Sequence, residues 1–320
     1  MTDRRGPSRA PVEHLALVGA TASGKSELAL EAAAALGDVE IVSMDSMQVY
    51  RGMDVGTAKP TAAERAVVAH HMIDVAEPDD AWSVARFQEH ARRAIAGVEA
   101  RGRRALLVGG TGLYVRAVVD DLRFPGEDAA VRAELERRGE APDGPAVLHA
   151  ELAALDPLAA ARIEPTNVRR VVRALEAVKV SGRPFSASGP GLERYGEPVV
   201  PVRMAGLRLP APALDERIQA RVERMAAAGL VDEVRRLATR PAGWSRAARQ
   251  AIGYREVAEH LAGGPAAPTL DEALQATARR TRRFARRQHR WFRRDPRVVW
   301  FEADGNPRDL LGALVAWWGR

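Results

Sequence analysis

The tightest constraint on this chain is the stretch 15–31, LALVGATASGKSELALE. An apolar run from Leu15 to Val18 leads into Gly19-Ala20-Thr21-Ala22-Ser23-Gly24-Lys25-Ser26, and an Ala/Leu/Glu-rich segment with helical spacing (Leu28, Ala32, Leu36) follows. G-x-x-x-x-G-K-[ST] between a strand and a helix is a phosphate-cradling turn. Glycines let the backbone wrap tightly, so successive N–H groups point inward, and the helix N-terminus adds partial positive charge. Lys25 supplies a point charge, and the Ser26 hydroxyl is placed to ligate Mg²⁺. Lysine occurs only at 25, 59 and 179 in a chain with 48 basic side chains, and one of those lysines stands where a compact ammonium suits phosphate. The loop predicts an α/β core and a bound di- or triphosphate. Kinases, GTPases and pyrophosphate-releasing transferases all use such a loop, so the phosphate itself is left open.

The 320 residues are enough for one large or two ordinary domains. The chain has no cysteine, which excludes disulfides and thiolate-ligated metals. Residues 1–12 are polar and read as a loose tail without the apolar core of a signal peptide. No apolar run of about 18 residues occurs, so the expectation is a soluble, cytoplasmic protein with no membrane contact. The formal charge of +6 suggests a polyanionic partner.

Further along, 40–43 reads as a second strand ending at Asp45, Ser46, Met47, Gln48 and Tyr50. Groups just past the carboxyl ends of parallel strands face the ligand crevice, which places Asp45 beside the phosphate loop as a base or an Mg²⁺ partner. Residues 70–75, HHMIDV, are a candidate third strand. Its adjacent histidines point to opposite faces and make a poor metal pair; their role is structural or at the substrate edge. An amphipathic helix spans 82–101, and 104–114 reads as a buried strand entering the Gly-rich turn Gly109-Gly110-Thr111-Gly112. Motor ATPases end a strand of this kind in Asp or Glu, and Leu106-Leu107-Val108-Gly109 does not.

The pattern changes at about 123. Helical pieces broken by Pro and Gly (128–138, 145–155, 166–180) predict an inserted helical subdomain over 123–198, flanked by core segments 13–122 and 199–320. Arg169, Arg170 and Arg173 share adjoining helical positions within it, as solvated charge or as an RNA contact. Strand character returns at 199–209, and Asp215-Glu216-Arg217-Ile218 opens a helix predicted to run to about 239. The segment 279–294 carries nine arginines; Arg279, Arg282, Arg283, Arg286, Arg290, Arg293 and Arg294 form a basic stripe roughly 20 Å long. Phe284, Trp291 and Phe292 anchor this helix or stack on bases. With no acid inside the segment, phosphate-backbone binding explains the stripe better than solvation.

GATASGKS, DSMQVYRGMDVGTAKP, HHMIDV, VGGTGLY, RRVVRALE, DERI, ARQAIGYRE and TRRFARRQHRWFR, in this order, resemble the motif set of the tRNA dimethylallyltransferases (tRNA isopentenyltransferases) of bacterial type. The resemblance runs from about residue 14 to 302, and Ala20 stands where that family commonly has Pro. It implies a P-loop NTPase-like parallel sheet flanked by helices, with the inserted helical subdomain. It also implies transfer of a dimethylallyl group from dimethylallyl diphosphate to the N6 amine of the adenosine 3′ of the anticodon. That is position 37 in tRNAs reading codons that begin with U. The loop of nucleotide-binding type then holds a prenyl diphosphate on Gly19, Ala20, Thr21, Ala22, Ser23, Gly24, Lys25 and Ser26, with Mg²⁺ as cofactor. Asp45 is the base, Thr111 positions the reacting groups, and Arg217 with Lys25 stabilises the departing diphosphate. Positions implied to meet the tRNA anticodon stem-loop are Asp45, Ser46, Met47, Gln48, Thr111, Arg132, Arg169, Arg170 and Arg173. Arg249, Gly253, Tyr254, Arg286, Arg287, Gln288, Arg290, Trp291 and Arg293 complete that set. A monomer is expected. An adenylate isopentenyltransferase, a P-loop kinase or ATPase with RNA as effector, and a non-catalytic RNA-binding protein are the alternatives.

Overall fold

The computed structural model describes residues 12–124, 126–187 and 194–319; the expected loose tail falls almost wholly outside them. The chain begins with β1 (His14–Gly19), α1 (Lys25–Leu36), β2 (Val39–Ser43), α2 (Ala62–Val67) and β3 (His70–His71). It continues through α3 (Val84–Ala100), β4 (Arg104–Gly109) and α4 (Gly112–Val119). A helical stretch follows: α5 (Ala129–Gly139), α6 (Gly144–Leu155), α7 (Pro157–Ala160) and α8 (Val168–Ser181). The return passes through β5 (Val202–Arg208), α9 (Ala211–Ala227), α10 (Leu230–Ala238), α11 (Arg246–Arg249) and α12 (Tyr254–Ala262). Last come α13 (Leu270–Phe292), β6 (Val298–Glu302) and α14 (Leu311–Trp318).

All six strands pair in parallel in the order β3-β2-β4-β1-β5-β6, so β1 lies inside the sheet, between β4 and β5. Because strand side chains alternate, β1 serves two cores at once. Leu15 and Leu17 pack with Leu28, Ala29 and Ala32 of α1, while Ala16 and Val18 pack with Phe87, Ile95 and Phe292 on the other face. Each fully buried leucine is worth roughly 1.5–3 kcal/mol, and this two-sided burial is what makes the strand an unbroken apolar run. Behind the phosphate loop, the segment after β6 closes in. A Cβ on Gly24 would lie 3.0 Å from Pro307, Arg308 pairs with Glu31 (3.0 Å), and Leu314 and Trp318 of α14 join the α1 core.

Two expectations change in this unit. The third strand is only His70–His71, because Met72 (φ 64°) and Asp74 (φ 56°) take left-handed backbone that no ladder accommodates. Asp74 instead turns to pair with the buried Lys59 (2.6 Å) and with Arg65 (2.9 Å). The helix expected from Asp215 starts four residues earlier, at Ala211, and breaks at Gly229 (φ 95°) into α9 and α10. A left-handed glycine stops a helix in this way.

The stretch Asp120–Glu197 is a compact unit of its own, the rest of the chain forming the other. Leu135, Leu148, Leu152, Ile163, Val171 and Leu175 make its core. Glu176, with no exposed surface, binds the backbone N–H of Asp128 (2.9 Å) and the guanidinium groups of Arg132 (3.0 Å) and Arg173 (2.9 Å).

Candidate active site

The loop after β1 is shaped by its own backbone. Ala22 (φ 63°) and Gly24 (φ 88°) are left-handed, which turns the chain into α1 with Lys25 as its first residue. Lys25 Nζ donates to the Ala20 carbonyl at 3.0 Å. Burial pulls the Lys25 ammonium down to about 8, the Arg221 charge pulls the same way, and Asp45 opposes both. From α9, Arg217 Nε donates to the Ala22 carbonyl at 2.9 Å, so a second cation is fixed at the loop. Ser23 Oγ is buried without a partner among the described residues, and Ser26 is exposed beside Lys25.

Two cavities open from here. The first, about 370 Å³, is lined by Thr21, Ala22, Gly24, Lys25, Ser26 and Arg217 on its phosphate-loop side. The second, about 480 Å³, is lined by Ser46, Met47, Thr111, Arg280, Arg283 and Arg287. Asp45, Thr21, Thr57, Arg221, Met225 and Phe284 line both. Asp45 thus stands at the junction. Its Oδ1 accepts from the backbone N–H of Met47 (2.8 Å) and Gln48 (3.3 Å), a turn that fixes the carboxylate, and Oδ2 has no hydrogen bond among the described residues. Arg221, one helical turn after Arg217, faces it; burial lowers its pKa while Asp45 holds it up. Sequence reading passed over Arg221, although its i+4 spacing from Arg217 was a usable signal.

The Gly-rich turn after β4 is built for close approach. A Cβ on Gly110 would lie 2.2 Å from Gln288 Nε2, and one on Gly112 would lie 2.1 Å from the Trp291 ring. These absences let α13 press against the phosphate loop, where Gln288 Oε1 accepts from Thr21 N–H at 2.8 Å. Gln288 is therefore buried and spent on the loop, and Trp291 is half-buried. Phe292 anchors the helix in the core, while Phe284 lines both cavities.

Other expected positions divide by their partners. Gln48 is held on both ends of its amide: Ser43 Oγ donates to Oε1 (2.8 Å), and Nε2 donates to the carbonyls of Thr57 (3.2 Å) and Ala58 (3.3 Å). Gly253 and Tyr254 are buried, and the Tyr254 hydroxyl donates to Glu233 at 2.6 Å. Arg132 and Arg173 are bound to Glu176, whereas Arg169 and Arg170 are exposed on α8. Arg249, Arg286, Arg287, Arg290 and Arg293 are exposed. The stripe on α13 is partly offset by acids from other helices: Glu256 binds Arg280, and Asp215 lies 3.8 Å from Arg282 and from Arg286. Among the described residues, no carboxylate pairs with Arg279, Arg283, Arg290, Arg293 or Arg294. No helix among them is long and apolar enough to cross a membrane.

Comparison with known proteins bears on this geometry. Residues 48–295 match the family described as IPP transferase, and residues 12–75 match isopentenyl transferase. A tRNA dimethylallyltransferase of Kineococcus radiotolerans is 54% identical over 94% of this chain and 95% of its own length. That of Streptomyces coelicolor is 51% identical over 94% of each. The crystal structure of the tRNA isopentenylpyrophosphate transferase of Bacillus halodurans superposes with TM-score 0.68 at 40% identity, covering 96% of this chain and 95% of that one. A eukaryotic dimethylallyltransferase acting on tRNA shares the fold, with TM-score 0.77 at 24% identity over 95% of this chain and 77% of that one. The phosphate loop, the carboxylate at the junction and the basic helix thus sit in a transferase, and the chain belongs to the IPP transferase family.

Proposed function

We propose that the protein transfers the dimethylallyl group of dimethylallyl diphosphate to the N6 amine of the adenosine 3′ of the anticodon in tRNA. The observation that carries the reading is the meeting of two cavities at Asp45, with phosphate-binding groups on one side and the basic helix on the other.

In this reading the diphosphate lies on the loop 19–26, against its backbone N–H groups, Lys25 and Arg217. Ionisation at the allylic carbon breaks the C–O bond and leaves charge on the diphosphate, which Lys25, Arg217 and Arg221 stabilise. The amine attacks that carbon from the second cavity, a C–N bond forms, and its proton passes to Asp45. An aromatic amine is a weak nucleophile, so a fixed carboxylate at hydrogen-bond reach matters. Thr111, in the wall of the second cavity, positions the base. The adenosine must leave its stack to enter, which suits a splayed anticodon loop. The exposed arginines Arg290 and Arg293 bind the RNA backbone.

The donor set suits Mg²⁺. The Ser26 hydroxyl is a hard oxygen ligand at the loop, and this ion takes one or two protein ligands with phosphate oxygens and water. When bound it neutralises diphosphate charge.

The test is a transfer assay with radiolabelled dimethylallyl diphosphate, Mg²⁺ and either unmodified tRNA or AMP. Label on tRNA at the adenosine beside the anticodon is the expected result. Label on AMP alone would make the protein a cytokinin-forming enzyme, and RNA-stimulated ATP hydrolysis without label would overturn the reading.

A further inference from the structure

Glu233, in the first turn of α10, is 1% exposed and takes no part in the chemistry just described. Its carboxylate accepts from four donors. Oε2 receives the backbone N–H groups of Asp54 (2.9 Å) and Val55 (2.8 Å); Oε1 receives the N–H of Gly56 (3.1 Å) and the hydroxyl of Tyr254 (2.6 Å). That fills about all four lone-pair positions a carboxylate offers. α10 does not need this residue for its own helicity, since many side chains suit a first turn. What the four bonds do fix is the segment 53–58, which belongs to no strand or helix. Gly56 lies close against the Tyr254 ring, where a Cβ would come within 2.4 Å of Cε2.

From there a continuous path reaches the junction of the cavities. Thr57 lines both cavities, and the Thr57 and Ala58 carbonyls accept from Gln48 Nε2 (3.2 and 3.3 Å). The Gln48 backbone N–H in turn donates to Asp45 Oδ1 (3.3 Å). None of these bonds involves residues 19–26.

We propose that Glu233 and Tyr254 form a latch that positions the 53–58 segment, and through it Gln48 and Asp45, for attack by the acceptor. The proposal rests on the transfer reaction of the preceding subsection. Glu233 is a positioning residue: the segment it holds lines the cavity walls on both sides of Asp45, and none of its bonds reaches the 19–26 loop that takes the diphosphate.

Glu233→Gln keeps the size and loses acceptor capacity, so at least one loop N–H is left without a partner in either amide orientation. The variant is expected to lose at least about tenfold in kcat for tRNA prenylation. Its Kd for inorganic diphosphate, a probe of the 19–26 loop alone, measured by calorimetry, should stay within about twofold. Gly56→Ala, which pushes the segment off the ring without touching Glu233, should show the same split, and it carries the test if Glu233→Gln does not fold. A wild-type kcat in both variants would overturn the latch. So would a fall in kcat matched by equal weakening of inorganic diphosphate binding, which marks a general packing role. If wild-type protein fails to prenylate tRNA, the transfer reading fails instead. Hydrogen exchange at the Asp54, Val55 and Gly56 amides then still tests the latch, which predicts protection in wild type and its loss in Glu233→Gln.

Discussion

Two arginine clusters look alike in the sequence and differ in the structure. In the unit Asp120–Glu197, Arg132 and Arg173 converge on the fully buried Glu176. On α13 and at its C-terminal cap, Arg290 and Arg293 are exposed and have no carboxylate partner among the described residues. Both sets come from arginine-rich helical segments, and the resemblance implied that both meet RNA. The difference lies in where the acids come from. Glu176 is three residues after Arg173 and reaches Arg132 on another helix, so these guanidinium groups hold the unit together. Among the described residues, charge on α13 is offset near Glu256 and Asp215, and beyond those it is available to a polyanion. An arginine pattern shows where charge is, and the buried carboxylates show how much of it is free.

The largest expected effect tests the point at which charge and chemistry meet. Asp45→Ala should lower kcat by about 10²–10⁴-fold while tRNA affinity, measured by filter binding, stays within about twofold. Normal turnover at saturation with lost binding would move Asp45 from chemistry to recognition. Next, Glu176→Gln should destabilise the helical unit by about 2–3 kcal/mol, seen as a lower denaturation midpoint, because two half-exposed arginines lose a buried partner. An unchanged midpoint would erase the contrast between the clusters. Third, Arg290→Ala with Arg293→Ala should leave thermal stability alone and weaken tRNA binding. The slope of log K against log salt should fall by about 1–2, and an unchanged slope would return the stripe to simple solvation.

The smallest effect comes from another buried carboxylate bound by arginine. Hydrogen bonds from Arg101, with His71 beside it, hold Glu40 down to about 2 from its ordinary 4.5. A depressed acid contributes stability that is complete above the unfolded value and lost as pH falls through the folded one. Acid unfolding of the wild type should therefore include a component between pH 4.5 and about 2 that Glu40→Gln lacks. Identical acid limbs would count against Glu40 as an arginine anchor.

Much of this was legible in the chain because its signals are local. The phosphate loop, the strands at 40–43 and 104–109 and the helix at 82–101 are each set by neighbouring residues, and each appears within a few positions. Asp45 was legible because a polar cluster follows an apolar strand. Three features were not legible. Glu233 is one acid among 42 acidic residues until the fold brings Asp54, Val55 and Gly56 to it. Gln48 and Gln288 stand in the sequence only as positions implied to meet tRNA, and their bonds to Thr57, Ala58 and Thr21 appear only in the fold. The third strand failed because Asp74 prefers the cation of Lys59 to the ladder, a choice made by a residue fifteen positions away.

The packing of Pro307 against Gly24, and of α14 against α1, has a consequence in time. The phosphate motif is synthesised early, yet the residues that back it emerge almost three hundred positions later. β5, the neighbour of β1 on that side, also arrives only after the helical unit. Such long separations slow folding and leave early segments waiting. A ribosome-bound chain that has reached α12 therefore carries the whole motif while lacking its backing, and the neighbourhood of the loop is complete only once synthesis has passed β6.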